Sequence, residues 1–427
     1  MYKFLRRFKN LYHKIAGYVA AFYYGLPSGK LKIICITGTD GKTTTVNLIY
    51  QALINAGEKA IVISSVYAKI GDLEYDTGLH TTTPSSVKNQ FFLKKAVEKN
   101  CRYAVLEVTA HGIDQNRIAG IRCDIAGITN ITPEHIISKD GKSDYFQDFQ
   151  NYRDTKIKLL QQAKTAIINK DDENFSYVKG KLSKKRLYTY SIKTQADFQL
   201  DFGKINLDSL PDFLKEDYTL AYAVLKLLEI DEKIIIKTFK SFKLPAGRIE
   251  VIWDKGVRVI IDFAHTQNSF KKVLPFIKNK YAKNSRLIHV FGTAGERDFT
   301  KRSLMGRYSA ENADVIILTE EDYRNEDIWT IFSEIEKGIK KRNFTKKNLE
   351  KDNLKSLQSL RKIYLCIPER EKAIKAAVEI SKPGDVILLT GKSHEKSLAR
   401  GSREYPWDEK KTAIKYLKKY YAEKKER

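Results

Sequence analysis

No apolar run in this 427-residue chain approaches the ~18 residues of a spanning helix, which argues against an integral helical membrane protein. Cysteine is scarce. Cys35, Cys101, Cys123 and Cys366 are scattered with no C-x-x-C pair, which excludes a zinc ribbon or a disulfide-dense secreted scaffold. Three of them fall in apolar runs, so buried free thiols in a reducing compartment are expected. No similarity recurs at a solenoid period. Acidic charge is in deficit, with 52 acidic against 77 basic side chains and a formal net charge of +25. The lysines are spread along the chain rather than gathered in one patch, so no specific nucleic-acid partner is expected. An apolar fraction of 42% is ordinary for a globular protein, and the length suits two or three domains.

The most informative stretch present is Gly38-Thr39-Asp40-Gly41-Lys42-Thr43-Thr44-Thr45. It follows the apolar run Ile33–Ile36 and precedes a helical pattern with Val46, Ile49, Leu53 and Ala56 on one face. Strand, glycine turn and helix together aim backbone N–H groups and a helix N-terminus at a phosphate. Lys42 adds a mobile positive charge for the outer phosphates, and Thr43 or Thr44 a hydroxyl for Mg²⁺. The general phosphate loop has a further glycine, where this chain has Ile36. Nucleoside triphosphate binding is expected, and with it a cytoplasmic location. Lys3, Arg6, Arg7 and Lys9 before Ile15–Tyr24 loosely mimic a signal peptide. The loop at Gly38 follows too soon for that reading. Residues 1–30 are expected to form a basic amphipathic helix packed on the domain, with peripheral membrane contact as a further option.

From Leu31 to Asn169, β-branched runs at 33–37, 60–64, 103–108, 124–128 and 165–169 alternate with helical patterns at 42–56, 86–99 and 152–164. A less regular stretch, 171–210, and two helices, 213–229 and 231–241, complete this domain. A second alternating series has strands at 257–263, 286–291, 314–319, 362–367 and 386–390, and lacks a glycine fingerprint. The segment 339–361 reads as a solvated excursion and 409–427 as a basic terminal helix. The fold class is α/β: a phosphate-loop parallel-sheet ATPase domain, 31–243, followed by a Rossmann-like α/β domain, 244–427.

Polar groups cluster at strand C-termini, where open parallel sheets bind ligands. In the first domain these are Glu107, followed by His111, Gln115 and Arg117, then Asn130 and His135. Glu107 is a natural Mg²⁺ ligand, and Thr81-Thr82-Thr83-Pro84 is a hydroxyl-rich loop. In the second domain Asp262–Thr266, Gly292–Asp298, Thr319–Asp327 and Gly391–Glu395 end four strands.

These motifs, in this order, resemble those of the Mur ligases, and within them the UDP-N-acetylmuramoyl-tripeptide synthetases. The resemblance runs over residues 31–410. G-T-D-G-K-T-T-T is similar to the family's ATP loop, and T-T-P at 82–84 to a loop touching the sugar nucleotide. E-V-T-A-H-G-I-D-Q-N-R at 107–117 and T-N-I-T-P-E-H at 129–135 have counterparts. So do Tyr152-Arg153-Asp154-Thr155-Lys156, P-A-G-R-I-E, D-F-A-H-T, F-G-T-A-G-E-R-D with Lys301-Arg302, and G-K-S-H-E. The resemblance implies that Gly38, Thr39, Asp40, Gly41, Lys42, Thr43, Thr44 and Asn130 bind ATP, with Asp262, His265 and Asn268 from the second domain. It implies metal sites on Thr43, Glu107, His135 and Lys156, the last as a CO₂-derived carbamate. Thr82, Thr83, Thr109, Gln115 and Arg117 would hold a muramoyl-dipeptide. Arg302, Arg324, Gly391 and Glu395 would frame an incoming free amino acid. Lys42, Glu107, His135, Lys156 and His265 would carry catalysis, with ATP and Mg²⁺ as cofactors. The reaction implied is amide-bond formation through an acyl phosphate, in peptidoglycan precursor synthesis.

The chain departs from the family in three places. Members carry an N-terminal domain of roughly a hundred residues that binds the uridine end, where this chain has residues 1–30. A shorter substrate, the middle domain itself or a partner would then stand in for that domain. The amino-acid-selecting D-N-P-R reads Glu321-Asp322-Tyr323-Arg324, which leaves diaminopimelate first and lysine second, with Asp322 adding a negative charge. Glu134 and Thr109-Ala110 replace the commoner Asp and Ser-Ser. Two alternatives are a catalytically altered nucleotide-binding scaffold and a superfamily ligase acting on a different carboxylate.

Overall fold

In a computed structural model, which describes residues 2–78, 83–136, 145–348 and 354–425, the chain divides into two compact units. One is Met1–Pro133 with Asp148–Pro245, the other Glu134–Gln147 with Ala246–Arg427.

The first unit is built on strands β1 (Lys32–Thr37), β2 (Ala60–Ile63), β3 (Ala68–Ile70), β4 (Leu73–Tyr75), β5 (Tyr103–Glu107), β6 (Ile125–Ile128), β7 (Thr165–Asn169) and β8 (Arg186–Tyr190). They form one sheet in the order β4-β3-β2-β5-β1-β6-β7-β8, in which β3 alone runs antiparallel to its neighbours. Strand β1 is central, and Ile33, Ile34 and Ile36 are fully buried. Continuous β-branched burial is what a strand covered on both faces requires. Helices Lys42–Asn55 and Asp212–Leu227 pack on one another, and Val46, Ile49, Leu53, Leu220 and Val224 fill a single core with β1 and β5. The irregular stretch expected at 171–210 contains the helix Phe175–Lys181 and edge strand β8. Expectation missed β3 and β4 as well, because three-residue edge strands offer too short a pattern to show a period. The helix Tyr2–Tyr23 leads the unit and runs along the helix Ser86–Glu98.

Two cysteines depart from expectation. Cys35 on β1 and Cys123 just before β6 are joined in a disulfide, their Cα atoms 6.2 Å apart. Parallel pairing of β1 with β6 brings them together across 88 residues of chain, a distance over which sequence gives no pairing signal. Cys101 and Cys366 are free thiols, and burial pushes their pKa values up to about 11 and about 12.

The second unit has β9 (Glu250–Lys255), β10 (Val257–Asp262), β11 (Leu287–Phe291), β12 (Val315–Leu318), β13 (Thr345–Lys346), β14 (Ile363–Cys366) and β15 (Val386–Thr390). They form one sheet ordered β13-β14-β12-β11-β15-β10-β9, with β9 antiparallel. A hairpin of β16 (Ser397–Arg400) and β17 (Arg403–Pro406) and the helix Glu409–Lys425 follow. Two fully buried arginines brace this unit. Arg286 bonds Asp385 at 2.6 Å, and Arg370 bonds Glu409 at 2.5 Å.

His289, on β11, is fully buried with its ring nitrogens bonded to Ser309 Oγ at 2.9 Å and Thr390 Oγ1 at 3.0 Å. Burial, helped by the Arg370 charge, pushes its pKa down from 6.5 to about 3. Between those values the unfolded chain binds a proton that the folded chain does not, so stability falls as pH falls. Stability is fully present above the unfolded value. This histidine alone accounts for a loss of about 3 kcal/mol between neutral pH and pH ~4. His289→Gln should flatten the dependence of the urea midpoint on pH by that amount. An unchanged slope would show that His289 titrates normally in the folded chain.

Candidate active site

The loop after β1 is shaped by its glycines. Gly38 and Gly41 take positive φ, 144° and 86°. A Cβ at Gly38 would run into the Thr129 hydroxyl, and one at Gly41 into the carboxylate of Asp217 on the helix Asp212–Leu227. The loop is then tied down from β6. Asn130 accepts from Asp40 N at 3.1 Å and donates to Asp40 O at 3.2 Å. Thr129 donates to the same carbonyl at 2.6 Å, and Thr39 N donates to Asn130 O at 2.9 Å. Asn130, expected at the nucleotide, therefore fixes the backbone that would meet it. Lys42 begins the helix Lys42–Asn55, and its ammonium donates to Thr39 O at 2.7 Å across the turn. Thr44, buried in the first turn, and Thr43 lie at that helix N-terminus, where orphan N–H groups and the helix dipole favour an anion.

Glu107 ends β5 in register with Ile36 of β1, which places it beside the loop. Its carboxylate, 3% exposed, accepts from Thr43 Oγ1 at 3.0 Å on both oxygens and from Ser65 N at 2.9 Å. A hydroxyl and a carboxylate at the mouth of a phosphate loop are the hard oxygen donors that Mg²⁺ takes, the remaining positions going to phosphate and water. The donor set fits that ion. No group of three or more His, Cys, Asp or Glu that could hold a metal occurs among the described residues. Ser65, which follows β2, was not expected here. Its signal would have been its place at a strand C-terminus next to β5.

Lys156, on the helix Phe149–Gln162, is 1% exposed. It donates to Gly38 O at 2.7 Å and lies 4.5 Å from the centre of the Tyr152 ring, whose hydroxyl bonds Thr39 Oγ1 at 3.1 Å. The structure thus brings Lys156 to the loop across 118 residues. The group expected to hold a muramoyl-peptide is also assembled. Thr83 Oγ1 bonds Thr109 Oγ1 at 3.1 Å, accepts from Thr109 N at 3.0 Å and donates to Glu107 O at 3.3 Å. Arg117 donates to Thr83 O at 2.7 Å and to Gln115 Oε1 at 2.8 Å. Thr109 caps the short helix Ala110–Asp114 through Gly112 N. Thr82 lies outside the described residues.

The second unit holds the other expected residues. His135 has φ 58° and stands 3.5 Å from Glu134, which is also 3.5 Å from His265 Nε2. Burial alone would lower the His265 pKa, but the hydrogen bond and charge of Glu134 outweigh it and raise the value. Asp262 accepts from Ile249 N and Ala264 N at 2.9 and 2.7 Å, which fixes the loop after β10. Asn268 sits in the first turn of the helix Gln267–Tyr281, which opens on a reciprocal Thr266–Ser269 cap.

Arg302, expected at the incoming amino acid, is held within the second unit. Its fully buried guanidinium bonds Glu326 at 2.5 and 2.8 Å, Glu334 at 2.8 Å and Ala294 O at 3.1 Å. Through Glu334 it ties the helices Thr300–Asn312 and Ile328–Lys340 together. Asp322 also differs from expectation, because Lys392 neutralises it at 2.8 Å and bonds Glu395 at 2.7 Å. Arg324, with φ 51°, donates to Gly295 O at 2.7 Å. Glu321, read from the sequence only as part of the amino-acid-selecting segment, has an environment of its own. Burial raises its pKa, its Oε2 has no hydrogen-bond partner, and Gly391 (φ 101°) leaves room directly beside that oxygen. A buried carboxylate oxygen without a partner in a strand-end loop is free to meet a ligand.

Residues 36–215 match the Mur ligase middle domain, and residues 247–393 the Mur ligase glutamate ligase domain. The chain is 30% identical to the UDP-N-acetylmuramoyl-L-alanyl-D-glutamate–2,6-diaminopimelate ligase of Syntrophomonas wolfei, over 94% of this chain and 81% of the relative. It is 33% identical to the UDP-N-acetylmuramyl-tripeptide synthetase of Borreliella burgdorferi, over 99% of this chain and 82% of the relative. The folylpolyglutamate synthase of Mycobacterium tuberculosis shares the fold, with a TM-score of 0.67 at 15% identity over 89% of this chain and 93% of that one. With its phosphate loop, its buried Glu107 and both family domains in order, the chain belongs to the Mur ligase family of ATP-dependent ligases.

Proposed function

We propose that the chain adds one amino acid, diaminopimelate in first place and lysine in second, to the terminal carboxylate of a UDP-N-acetylmuramoyl-dipeptide. The observation that carries this reading is the continuity of two sites in one unit. Thr83 bonds the backbone of Glu107, whose side chain bonds Thr43, so the peptide-binding loop and the phosphate loop share one strand end. A carboxylate held by Thr83, Thr109, Gln115 and Arg117 then lies beside the γ-phosphate of ATP.

A free carboxylate is a poor acyl donor, so its oxygen first attacks the γ-phosphorus and ADP leaves. The amine of the added amino acid then attacks the acyl carbon and expels phosphate. Lys42 leaves Thr39 O to meet the charge that grows on the transferred phosphoryl group. The loop N–H groups hold the remaining phosphates in line. Mg²⁺, held by Thr43 and Glu107, supplies further charge neutralisation when bound. Lys156 carries a carbamate, which turns a cation into a carboxylate-like ligand. Its nitrogen keeps one N–H, enough to retain the bond to Gly38 O. Glu321 and Arg324 accept the amine and the carboxylate of the incoming amino acid.

The test is ADP release with Mg²⁺ATP, UDP-N-acetylmuramoyl-alanyl-glutamate, and diaminopimelate or lysine in turn, with the product mass recorded. A mass gain of one amino acid residue is expected with diaminopimelate. ATP binding without product from either amino acid would overturn the reading.

A further inference from the structure

The N-terminal helix Tyr2–Tyr23 is built inside out. Its inner face carries small residues. Ala20 and Ala21 are buried, and a Cβ at Gly17 would come within 2.8 Å of Ala119 Cβ. Its outer face carries the large ones. Leu11, Ile15, Tyr18, Val19, Phe22 and Tyr23 follow one another at three- and four-residue steps and are between 51% and 80% exposed. An ordinary surface helix buries its bulky apolar stripe against the core. A contiguous apolar stripe left outside marks a docking surface.

Charge and residue type say what docks there. Lys3, Arg6, Arg7, Lys9 and Lys14 lie in this helix, and no acidic residue precedes Asp40 in the whole chain. A groove on a protein partner would ask only for the apolar stripe. An anionic bilayer asks for both: basic residues for its headgroups and an apolar face for the acyl boundary. Tyrosine and phenylalanine on that face suit the headgroup level. No described helix is long and apolar enough to cross a membrane, so the helix would lie on the surface rather than span it. We propose that the helix Tyr2–Tyr23 docks this enzyme on an anionic lipid surface, with its aromatic stripe inserted at the headgroup level.

Docking would also orient the unit. Asn10 donates to Asp114 O at 2.8 Å and Asp114 Oδ2 at 3.0 Å, and Asn116 donates to Asn10 O at 3.1 Å. The helix is thus bolted to the 109–117 segment that carries Thr109, Gln115 and Arg117. The docking itself does not depend on the identity of the substrate.

The experiment is flotation of the full chain with vesicles of phosphatidylcholine alone or mixed with phosphatidylglycerol. Binding to the mixed vesicles that weakens with added salt is expected. The double variant Val19→Glu/Phe22→Glu should lose about tenfold or more of that partitioning, with an unchanged thermal melt because both side chains point to solvent. A second variant, Lys3→Gln/Arg6→Gln/Arg7→Gln, should lose the preference for anionic lipid while keeping the stripe. Absence of flotation with either vesicle would overturn the proposal, as would equal binding to both. A concentration-dependent dimer in sedimentation that Phe22→Glu converts to monomer would assign the stripe to a second copy of the chain instead.

Discussion

A Lys156→Ala chain is expected to lose ADP release by on the order of 10³-fold, and to regain part of it when formate or acetate is added. Lys156 is buried, its Nζ reaches the carbonyl of Gly38, and Gly38 opens the phosphate loop. Two roles follow from that position. As an ammonium it would only brace the loop. As a carbamate it would bring negative charge to the phosphate loop at Gly38. Truncation to alanine removes both and leaves a space next to the loop. A short carboxylate can enter that space and replace a carbamate's charge, but it cannot replace an ammonium donor. Rescue by acids and none by alkylamines would establish the carbamate. Rescue by amines alone, or unchanged turnover, would sink it.

Glu107→Gln should lower kcat by about 10²- to 10³-fold and raise the Mg²⁺ concentration needed for half-maximal rate. The substitution keeps the shape of the side chain and removes its charge. In the native chain both oxygens accept, from the Thr43 hydroxyl and from Ser65 N. A glutamine amide facing the same donors satisfies one and opposes the other. It also gives a cation one neutral oxygen in place of a charged pair. Because the substitution keeps the shape of the side chain and leaves β5 paired on both sides, the melting temperature should shift by only a few degrees. A full loss of folding would mean that Glu107 serves the sheet and not the metal. A rate close to that of the native chain would remove it from the metal site altogether.

Much of this was legible in the residues. Short apolar runs rich in β-branched residues, such as Ile33–Ile36 and Val386–Thr390, read as buried strands, and the helical periods between them as crossovers of a parallel sheet. Gly38 and Gly41, with Lys42 and Thr43 after them, announce a phosphate loop because a strand, a glycine turn and a helix in succession aim backbone N–H groups at an anion. The edges of the sheets were illegible. Strands β3, β4 and β13 are too short to carry a period, and β8 lies in a stretch with no clear pattern.

What sequence alone determined, then, is the order of chemistry along the chain: loop, strand-end carboxylate, hydroxyl-rich turn, buried lysine, and a second set of loaded strand ends. These are local facts, fixed by periodicity and by the conformational needs of single residues. The tertiary structure alone decided which groups are engaged with one another. It made Arg302 a tie between two helices, set Lys392 against Asp322, left the Oε2 of Glu321 without a bond, and joined Cys35 to Cys123. It also turned the large side chains of the first helix outward. Each of these depends on contacts between residues far apart in sequence, and such contacts arise only when the sheet order has been set and the helices have closed over it.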